Sequence, residues 1–371
     1  MKDLRKDKIS HDITNDTIYF FNENHSWGGG EKMFMWLSKK LYLNGYNVKY
    51  CMLYRNNDID TAPIPTDYLD FKFFNSYILR NLWYFIIGAI KIIHYIKKNK
   101  VKNVVCFGFN SFYILGVLQH IMGFKLLVSE RGDPEKKRWS KFRKVLFSGC
   151  NGAVFQTIGA RKFYTSNKDE MSYIIPNPVV IPDEIWNDID GQQIVISVGR
   201  IDLEQKRQDL LIEAFAKVVK KIPNSKLLLV GTGYDIDRLY QLIRYYKLVD
   251  NVCYVGFKKD VITYLKKANV FVLSSDFEGI PNALLEAMAF GMPVVSTDCT
   301  PGGAAYLIGK NENGILVPKG NPDLLACGII EMLQNKEKRI YYAKKARESM
   351  IRFDELNIIK LWENVINRTF I

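Results

Sequence analysis

Short apolar runs alternate with longer amphipathic segments along most of the chain. Before residue 180 this pattern predicts strands at 18–22, 48–53, 103–107, 125–129, 152–155 and 173–175, and helices near 31–44, 77–100, 112–122 and 137–147. Beyond it the pattern predicts strands at 194–198, 226–230, 251–255, 269–274 and 293–297, and helices near 207–221, 236–247, 283–290 and 355–370. Apolar strands separated by helix-length segments are typical of parallel sheets covered on both faces. The pattern therefore predicts an α/β fold.

The chain is long enough for two domains, and one stretch interrupts both periodicities. Its 371 residues exceed a single typical core, and 48% hydrophobic with 25% charged residues is an ordinary globular composition. The segment Pro176-Asn177-Pro178 and the polar stretch 182–193 fit neither a strand nor a helix. We predict parallel-sheet domains at 1–180 and 181–352, followed by a C-terminal helical segment at 353–371.

Two glutamates eight positions apart flank the start of the apolar helix 283–290. Glu278 follows a predicted strand, at the carboxyl end where open α/β sheets bind ligands. The loop before the helix presents free N–H groups that favour a phosphate. Glu286 is the one polar residue within the helix, so we expect the helix to be buried all round and the carboxylate to need a partner. That partner is either a ligand with hydroxyl groups or an Arg or Lys side chain.

This segment resembles the E-x7-E motif of retaining glycosyltransferases of family 4. The match includes Glu278, Gly279, Pro281, the run 285–289, Gly291 and Pro293. The resemblance implies the GT-B fold, in which two Rossmann-like domains face each other across a cleft and the final helix returns to the N-terminal domain. It implies that Glu278 contacts the donor sugar by electrostatics and positioning, and that Glu286 contacts the ribose. The remaining donor-binding candidates are Gly279, Ile280, Pro281, Asn282 and Ala283.

A second pair of motifs fits a nucleoside diphosphate. Gly199-Arg200 ends a predicted strand and Lys206 follows, and two cations after a flexible turn suit a diphosphate. The spacing resembles the G-R-x5-K segment of family 4, which implies that Arg200 and Lys206 stabilise the leaving group. Small residues where the next strands end let a base approach the backbone, or are turn residues only. These candidates for the nucleotide pocket are Gly231, Gly233, Gly256 and Phe257.

Two segments of the N-terminal half are candidates for the acceptor side of the cleft. Gly28-Gly29-Gly30-Glu31 resembles the family's G-G-x-E-[RK] segment and does not match the dinucleotide fingerprint. The run 129–134 resembles an S-E-R-N-D-P-like sequence of some bacterial polysaccharide transferases, and no histidine aligns with the one that many members have there. Its acceptor or sugar candidates are Glu130, Arg131 and Asp133. The alternative for these three is a salt-bridge cluster at the strand end.

The net charge of +13 lies almost entirely in residues 1–180, which hold 27 Lys and Arg against 15 Asp and Glu. The segment 136–147 places cations beside apolar residues at helical spacing, which is typical of an interfacial helix that binds anionic lipid. Its predicted membrane residues are Lys136, Lys137, Arg138, Trp139, Lys141 and Phe142. An ordinary helix with a solvated basic face is the alternative. Nucleic acid is not expected, because no recognition motif accompanies the charge.

Scattered cysteines without a CxxC pair and the lack of a signal peptide or a spanning segment indicate a cytoplasmic protein. The basic half 1–180 suggests that it is peripheral at the inner face of the cell membrane. Three Asp-x-Asp pairs, at 58/60, 188/190 and 235/237, lie away from the glutamates, so we expect neither a metal nor a cofactor.

We predict a hexosyltransferase that uses a UDP-sugar and a saccharide or lipid-linked acceptor in capsule, exopolysaccharide or lipopolysaccharide assembly. A UDP-sugar epimerase of similar fold and a non-catalytic basic protein that binds membrane or nucleic acid are the alternatives.

Overall fold

The computed structural model describes most of the chain. The described residues are 16–23, 29–55, 61–72, 83–108, 110–137, 139–165, 170–189 and 191–371. Several predictions lie outside them: those for Gly28, Arg138, Asp58, Asp60 and Asp190, and for the first part of the helix near 77–100.

Among the described residues, the first sheet has seven strands in the order β3-β2-β1-β4-β5-β6-β7. Its strands are β1 (Ile18–Asn22), β2 (Val48–Met52), β3 (Thr66–Tyr68), β4 (Asn103–Phe107), β5 (Lys125–Glu130), β6 (Gly152–Phe155) and β7 (Ser172–Ile174). The pairings from β3 through β5 are parallel. Each predicted strand of this half is present within one residue of its predicted ends, and β3 is an additional strand.

Helices connect these strands. They are α1 (Gly29–Leu43), α2 (Ala89–Lys98), α3 (Ser111–Met122), α4 (Ser140–Ser148) and α5 (Ile158–Tyr164). A π-helical turn at Tyr84–Gly88 precedes α2, and a 3-10 turn at Pro134–Lys136 precedes α4. The prediction of a helix from residue 137 is wrong at its start, because Trp139 has a left-handed φ of 53° and α4 begins after it.

The second sheet has six strands in the order β10-β9-β8-β11-β12-β13, and all its pairings are parallel. Its strands are β8 (Ile194–Val198), β9 (Lys226–Val230), β10 (Val252–Gly256), β11 (Val270–Leu273), β12 (Val294–Asp298) and β13 (Ile315–Pro318). Its helices are α6 (Gln208–Lys221), α7 (Ile236–Tyr245), α8 (Ile262–Leu265), α9 (Asn282–Phe290), α10 (Gly303–Ile308), α11 (Pro322–Gln334) and α12 (Lys336–Ser349).

Both faces of the second sheet are covered. On β8, Val195 belongs to one apolar cluster and Ile196 to the other, because successive side chains of a strand point to opposite faces. The first cluster includes Phe215 of α6, and the second includes Met288 of α9. Two parallel-sheet α/β regions are therefore present, as the apolar strand pattern predicted.

By contacts, the chain divides into two compact units. The first unit comprises 1–129, 145–154 and 359–371, and the second comprises 130–144 and 155–358. The last helix, α13 (Glu355–Phe370), therefore contributes its final turns to the first unit, where the Trp362 ring stacks on Phe107 at 6.2 Å. The predicted boundary at residue 180 lies inside the second unit.

The strand order of the second sheet marks where a ligand would bind. From β8 the chain runs outward through β9 and β10, and then returns to place β11 on the other side of β8. Loops from two neighbouring strands diverge at such a reversal, and the crevice at their carboxyl ends is the usual ligand site of open α/β sheets. Residues 199–207 follow β8 and residues 274–281 follow β11, so both predicted donor motifs lie at this point.

Candidate functional site

An ion pair between Lys206 and Glu278 lies at the carboxyl ends of β8 and β11. The Lys206 Nζ donates to Glu278 Oε1, and the Ser275 hydroxyl donates to the same oxygen at 2.9 Å. The Glu278 backbone N–H donates to the Thr300 carbonyl at 2.7 Å, which holds the loop in place. Side-chain exposure is 19% for Lys206 and 9% for Glu278. The structure therefore brings these two predicted residues together, with one edge of the pair open.

Arg200 joins this ion pair through a glutamine. The Arg200 guanidinium is about half exposed and donates from Nη2 to Asp202 Oδ2 at 2.9 Å and to Gln205 Oε1 at 2.8 Å. The Gln205 Nε2 donates to the Phe277 carbonyl at 3.1 Å and lies 3.4 Å from Glu278 Oε2. Gln205 was not predicted from the sequence, because a single glutamine in a loop has no distinctive spacing. It connects the three predicted charged residues.

The helix that follows Glu278 differs from its prediction in two ways. Pro281 is the N-cap of α9, with φ −73° and ψ 105°, and the first helical residue is Asn282. Asn282 and Ala283 are partly exposed and Glu286 is exposed, whereas the other residues of α9 are buried. The three positions share one helix face, because residues three and four apart are neighbours. The expectation that Glu286 is buried is therefore wrong, and its carboxylate faces outward on the face that begins at the helix N-terminus.

Gly279 in the loop before α9 and Gly303 at the start of α10 allow backbones to pack closely. A Cβ on Gly303 would lie 1.6 Å from the Gly279 carbonyl oxygen, and a Cβ on Gly279 would lie 2.0 Å from Gln156 Oε1. Side chains at these positions would clash with neighbouring backbone or with a buried amide. The resulting contact fixes the distance between the Glu278 loop and the start of α10.

The predicted glycines after β9 have a similar packing role. A Cβ on Gly231 would lie 1.8 Å from the Gly199 carbonyl oxygen, and one on Gly233 would lie 1.9 Å from the Ile201 carbonyl oxygen. The Gly231 N–H donates to the Gly256 carbonyl at 2.9 Å, which places the loops after β9 and β10 side by side. The geometry accounts for the two glycines after β9 as turn residues, and their contact with a nucleotide stays a prediction, as does that of the exposed Phe257.

The predicted acceptor residues after β5 are enclosed by protein partners. Glu130 is 1% exposed and pairs with Arg143 and, at 3.7 Å, with Lys137. Burial is the largest influence and raises the pKa of Glu130, but the charges of Arg143 and Lys137 and the hydrogen bonds from Arg143 and the Arg131 backbone together outweigh it, so the pKa lies below its ordinary value. Asp133 accepts from the Thr300 hydroxyl at 2.6 Å. This geometry matches the alternative for Glu130, a salt-bridge cluster at the strand end.

Arg131 of the same segment is also held by the protein. Its Nη1 donates to the Ile175 carbonyl at 2.9 Å, and burial lowers the pKa of the guanidinium to about 9 although Glu130 opposes the shift. Contact of Glu130, Arg131 or Asp133 with an acceptor stays a prediction.

The basic segment does not form one amphipathic helix. Lys136 lies in the preceding 3-10 turn with its Nζ 4.9 Å from the centre of the Phe277 ring, and Lys137 pairs with Glu130. Arg143 is buried. The prediction of a continuous interfacial helix over 136–147 is therefore wrong, and the predicted membrane residues that are exposed at the start of α4 are Trp139, Lys141 and Phe142.

In the first unit, Gly29, Gly30 and Glu31 form the first turn of α1, and Gly28 lies outside the described residues. Across the described ranges, no group of three or more His, Cys, Asp or Glu side chains is placed to bind a metal ion. Nor does any helix in the described part of the chain have the length and apolarity to cross a bilayer.

Comparison with known proteins shows that the region of the second sheet is similar to glycosyltransferases. Residues 183–349 match the family model of glycosyl transferases group 1. An N-acetylgalactosamine-N,N'-diacetylbacillosaminyl-diphospho-undecaprenol 4-alpha-N-acetylgalactosaminyltransferase of Campylobacter jejuni is 34% identical over 45% of this chain and 45% of its own. An uncharacterized glycosyltransferase of Methanocaldococcus jannaschii is 32% identical over 47% of this chain and 50% of its own. The chain spans about half the length of the curated relatives it matches.

Solved structures match over nearly the full length. The lipopolysaccharide outer core galactosyltransferase WaaB, in its apo form, superimposes with a TM-score of 0.78 and 20% identity over 95% of this chain and 99% of its own. Anabaena HepE in complex with UDP and glucose also gives 0.78, at 18% identity and the same coverage. At this identity the likeness shows the fold. The chain therefore has the GT-B fold of glycosyltransferases, and its residues 183–349 match glycosyl transferases group 1.

Proposed function

We propose that this protein is a retaining glycosyltransferase of family 4. It transfers a hexose from a UDP-sugar to a hydroxyl of a saccharide or lipid-linked saccharide during polysaccharide or lipopolysaccharide assembly. The observation that carries the proposal is the Lys206–Glu278 pair at the strand-order reversal, joined to Arg200 through Gln205.

Lys206 and Arg200 bind the diphosphate of the donor. Transfer breaks the bond between the sugar and the diphosphate, so negative charge grows on the departing oxygen. Fixed cations in a site that is partly removed from water stabilise this charge better than mobile water does. Lys206 is paired with Glu278, and on donor binding the diphosphate becomes its partner. Arg200 is about half exposed and reaches the ligand from the open edge.

Glu278 and Glu286 hold the two ends of the donor. Once Lys206 turns to the diphosphate, the Glu278 carboxylate accepts hydrogen bonds from sugar hydroxyls while Ser275 keeps it oriented. Glu286 faces outward on α9, one helical turn beyond Asn282, and accepts from the ribose hydroxyls. A rise of about 1.5 Å per residue places it roughly 6 Å along the helix from Asn282. That distance suits a ligand that extends along the helix from its N-terminus.

Relatives support the choice of donor and acceptor. HepE binds UDP and glucose, and the Campylobacter jejuni relative acts on a diphospho-undecaprenol saccharide. Further relatives are a lipopolysaccharide core glycosyltransferase of Rhizobium meliloti and an amylovoran glycosyltransferase of Erwinia amylovora. These names support a UDP-sugar donor and an acceptor from polysaccharide assembly.

The acceptor class suggests contact with an anionic membrane at the inner face of the cell membrane. The exposed rings of Trp139 and Phe142 insert into the headgroup region, and the exposed Lys141 meets lipid phosphate. Sedimentation with vesicles that contain anionic lipid should bring down the wild type. The variant Trp139→Ala/Phe142→Ala should stay in solution, and Val180→Ala, which removes an exposed apolar side chain elsewhere, should sediment like the wild type. Equal sedimentation of all three proteins would remove the membrane contact from the proposal.

A donor screen tests the function. Purified protein is incubated with a panel of nucleotide sugars, with and without undecaprenyl-diphosphate-linked saccharides, and the release of nucleoside diphosphate is measured. We expect release from one UDP-sugar, stimulated by an acceptor, and NMR of the product should show the anomeric configuration of the donor. An inverted product would exclude the retaining mechanism. A sugar that changes configuration without UDP release would identify an epimerase.

A further inference from the structure

Three amide side chains from distant parts of the sequence form a chain of hydrogen bonds at the start of α9. The Gln156 Nε2 donates to Asn177 Oδ1 at 2.6 Å, and the Asn177 Nδ2 donates to Asn282 Oδ1 at 2.6 Å. Gln156 is 3% exposed and Asn177 is 6% exposed. All three belong to the second unit. Buried amides of this kind are costly unless they are paired, so the network specifies one arrangement of the segments it joins.

Gln156 also holds the turn between Glu278 and α9. Its Oε1 accepts the Ile280 backbone N–H at 3.1 Å. The absence of a side chain at Gly279 makes this approach possible, since a Cβ there would lie 2.0 Å from the same oxygen. The glutamine therefore contacts the turn through a hydrogen bond and a close packing contact together.

Asn177 is itself anchored. It lies between Pro176 and Pro178, whose rings restrict the backbone on either side. Its Oδ1 lies 3.4 Å from Arg131 Nη1, and the same Arg131 nitrogen donates to the Ile175 carbonyl at 2.9 Å. The segment that the sequence pattern presented as a linker is thus a fixed support for the start of α9.

The supported turn carries the groups on which the proposed donor site depends. Glu278 precedes Ile280 by two residues, and Asn282 begins the helix whose outward face carries Glu286. A shift of the turn by 1 Å moves the carboxylate and the first helical N–H groups relative to Lys206. Misplacement of that size in a site that binds by orientation costs up to about a hundredfold in rate.

We propose that Gln156 and Asn177 are positioning residues of the donor site. They hold the turn 279–282 so that Glu278 and the first turn of α9 meet the same donor molecule. The proposal rests on the function proposed above, and it adds two residues that touch neither the donor nor the acceptor.

Three variants and a matched control separate positioning from simple destabilisation. Asn177→Leu and Gln156→Met keep the size of the side chain and remove its polar atoms. Asn177→Asp keeps an acceptor for Gln156 and Arg131, and rotation of the Asn282 amide restores the third bond. We expect the two apolar variants to weaken UDP binding about tenfold each, since each loses buried hydrogen bonds, and Asn177→Asp to stay within about twofold of the wild type.

The matched control is Asn251→Leu. Asn251 donates to the Pro223 and Ser225 carbonyls at 3.0 and 2.9 Å just before β10, at the amino ends of the strands, whereas the site lies at their carboxyl ends. The Asn251→Leu variant loses these two hydrogen bonds, so its unfolding temperature should be lower than that of the wild type and its affinity for UDP should be unchanged.

Binding is measured by calorimetry with UDP alone, and exchange of the Ile280 amide hydrogen is followed by mass spectrometry. The expected result is weaker UDP binding and faster Ile280 exchange in Gln156→Met, with a raised KM for the donor and an unchanged KM for the acceptor. Wild-type affinity in both apolar variants, or equal weakening in Asn251→Leu, would overturn the positioning role and leave the proposed function standing. A wild type that binds no nucleoside diphosphate would overturn the function and the positioning role together.

Discussion

Two ion pairs of the second unit are built from similar groups and differ in their surroundings. Lys206–Glu278 lies where β8 and β11 end, with 19% of the lysine side chain exposed, and Ser275 and Gln205 add further hydrogen-bonding partners. Arg143–Glu130 lies behind the end of β5, with side chains 2% and 1% exposed. The first pair has an open edge through which a ligand can replace one partner. The second has none.

The degree of burial therefore distinguishes an ion pair that can bind a ligand from one that only stabilises the fold. An enclosed pair that loses one member leaves an uncompensated buried charge, so it acts on stability. A partly open pair at a strand-order reversal can exchange one partner for a charged ligand, so it acts on binding and turnover. The four predictions that follow test this distinction, beginning with the largest expected effect.

Removal of the cation from the enclosed pair should cost the most. Arg143→Met leaves Glu130 buried without its main partner, and we expect the free energy of unfolding to fall by about 3–5 kcal/mol at pH 7. Urea denaturation followed by circular dichroism measures the change. The control is Lys217→Ala, which removes an exposed ion pair with Asp323 and should leave the unfolding curve unchanged. Equal stability of Arg143→Met and wild type would show that the pair is not structural.

Removal of the cation from the open pair should act on turnover. Lys206→Met deprives the departing diphosphate of a fixed charge, and we expect kcat to fall by about 10²–10³-fold. Steady-state release of nucleoside diphosphate measures it. Lys226→Met is the control, because Lys226 donates to the Asp250 carbonyl at the other end of the sheet.

The double variant Lys206→Met/Glu278→Gln removes both charges of the open pair, and its kcat should be no higher than that of Lys206→Met. Recovery of turnover in the double variant would mean that Lys206 serves only to neutralise Glu278.

Glu286 should have a smaller effect, confined to binding. Because its carboxylate is exposed, its loss leaves no buried charge, and Glu286→Gln should raise the KM for the UDP-sugar about tenfold with little change in stability. Glu337→Gln, an exposed glutamate in the first turn of α12, is the control. A variant with the donor KM of the wild type would remove Glu286 from the site.

The smallest effect concerns the pH dependence of stability. The folded protein holds the pKa of Glu130 below its ordinary value of about 4.3, so the stabilisation is complete above that pH and is lost as the pH falls through the folded pKa. In Arg143→Met the lowering by Arg143 is lost and burial raises the pKa of Glu130, so the gap in unfolding free energy between wild type and this variant should narrow as the pH falls from 7 through the raised pKa of the variant towards the lower folded pKa of the wild type. Denaturant curves at pH 7, 5 and 4 measure it, and a constant gap would contradict the assignment.

The local pattern of the sequence predicted the strands well and the contacts between distant segments poorly. β9 and β4 were predicted at their observed bounds, because an apolar run with flanking turn residues is a local signal. Helices α11 and α12 were not predicted, although Asn321 and Asn335 cap them with side-chain hydrogen bonds. An asparagine in the N-cap position before a helix-length segment was the sequence signal that could have predicted both helices.

In the candidate site, too, residues within a local motif were predicted and residues that contact it from distant segments were not. Glu278, Lys206 and Arg200 were recognised by spacing within a motif, whereas Gln156 and Asn177 contact the site across more than a hundred residues of sequence. The burial of Glu286 was inferred from the polarity of its neighbours. Which face of α9 is covered depends on the sheet and on other helices, and that information is not in the helix sequence.

The contact between Gly279 and Gly303 has a consequence for how this protein can change. A methyl group added to Gly303 would overlap the Gly279 carbonyl oxygen, and one added to Gly279 would overlap Gln156 and the Arg131 carbonyl oxygen, so neither position accepts alanine. In a saturation library sorted for folded protein, only glycine should be recovered at Gly279 and Gly303. Gly199, whose Cβ would lie 3.7 Å from its nearest neighbour, should accept alanine. Changes in this region are therefore expected at the side chains that surround Gly279 and Gly303, while the two glycine backbones stay as they are.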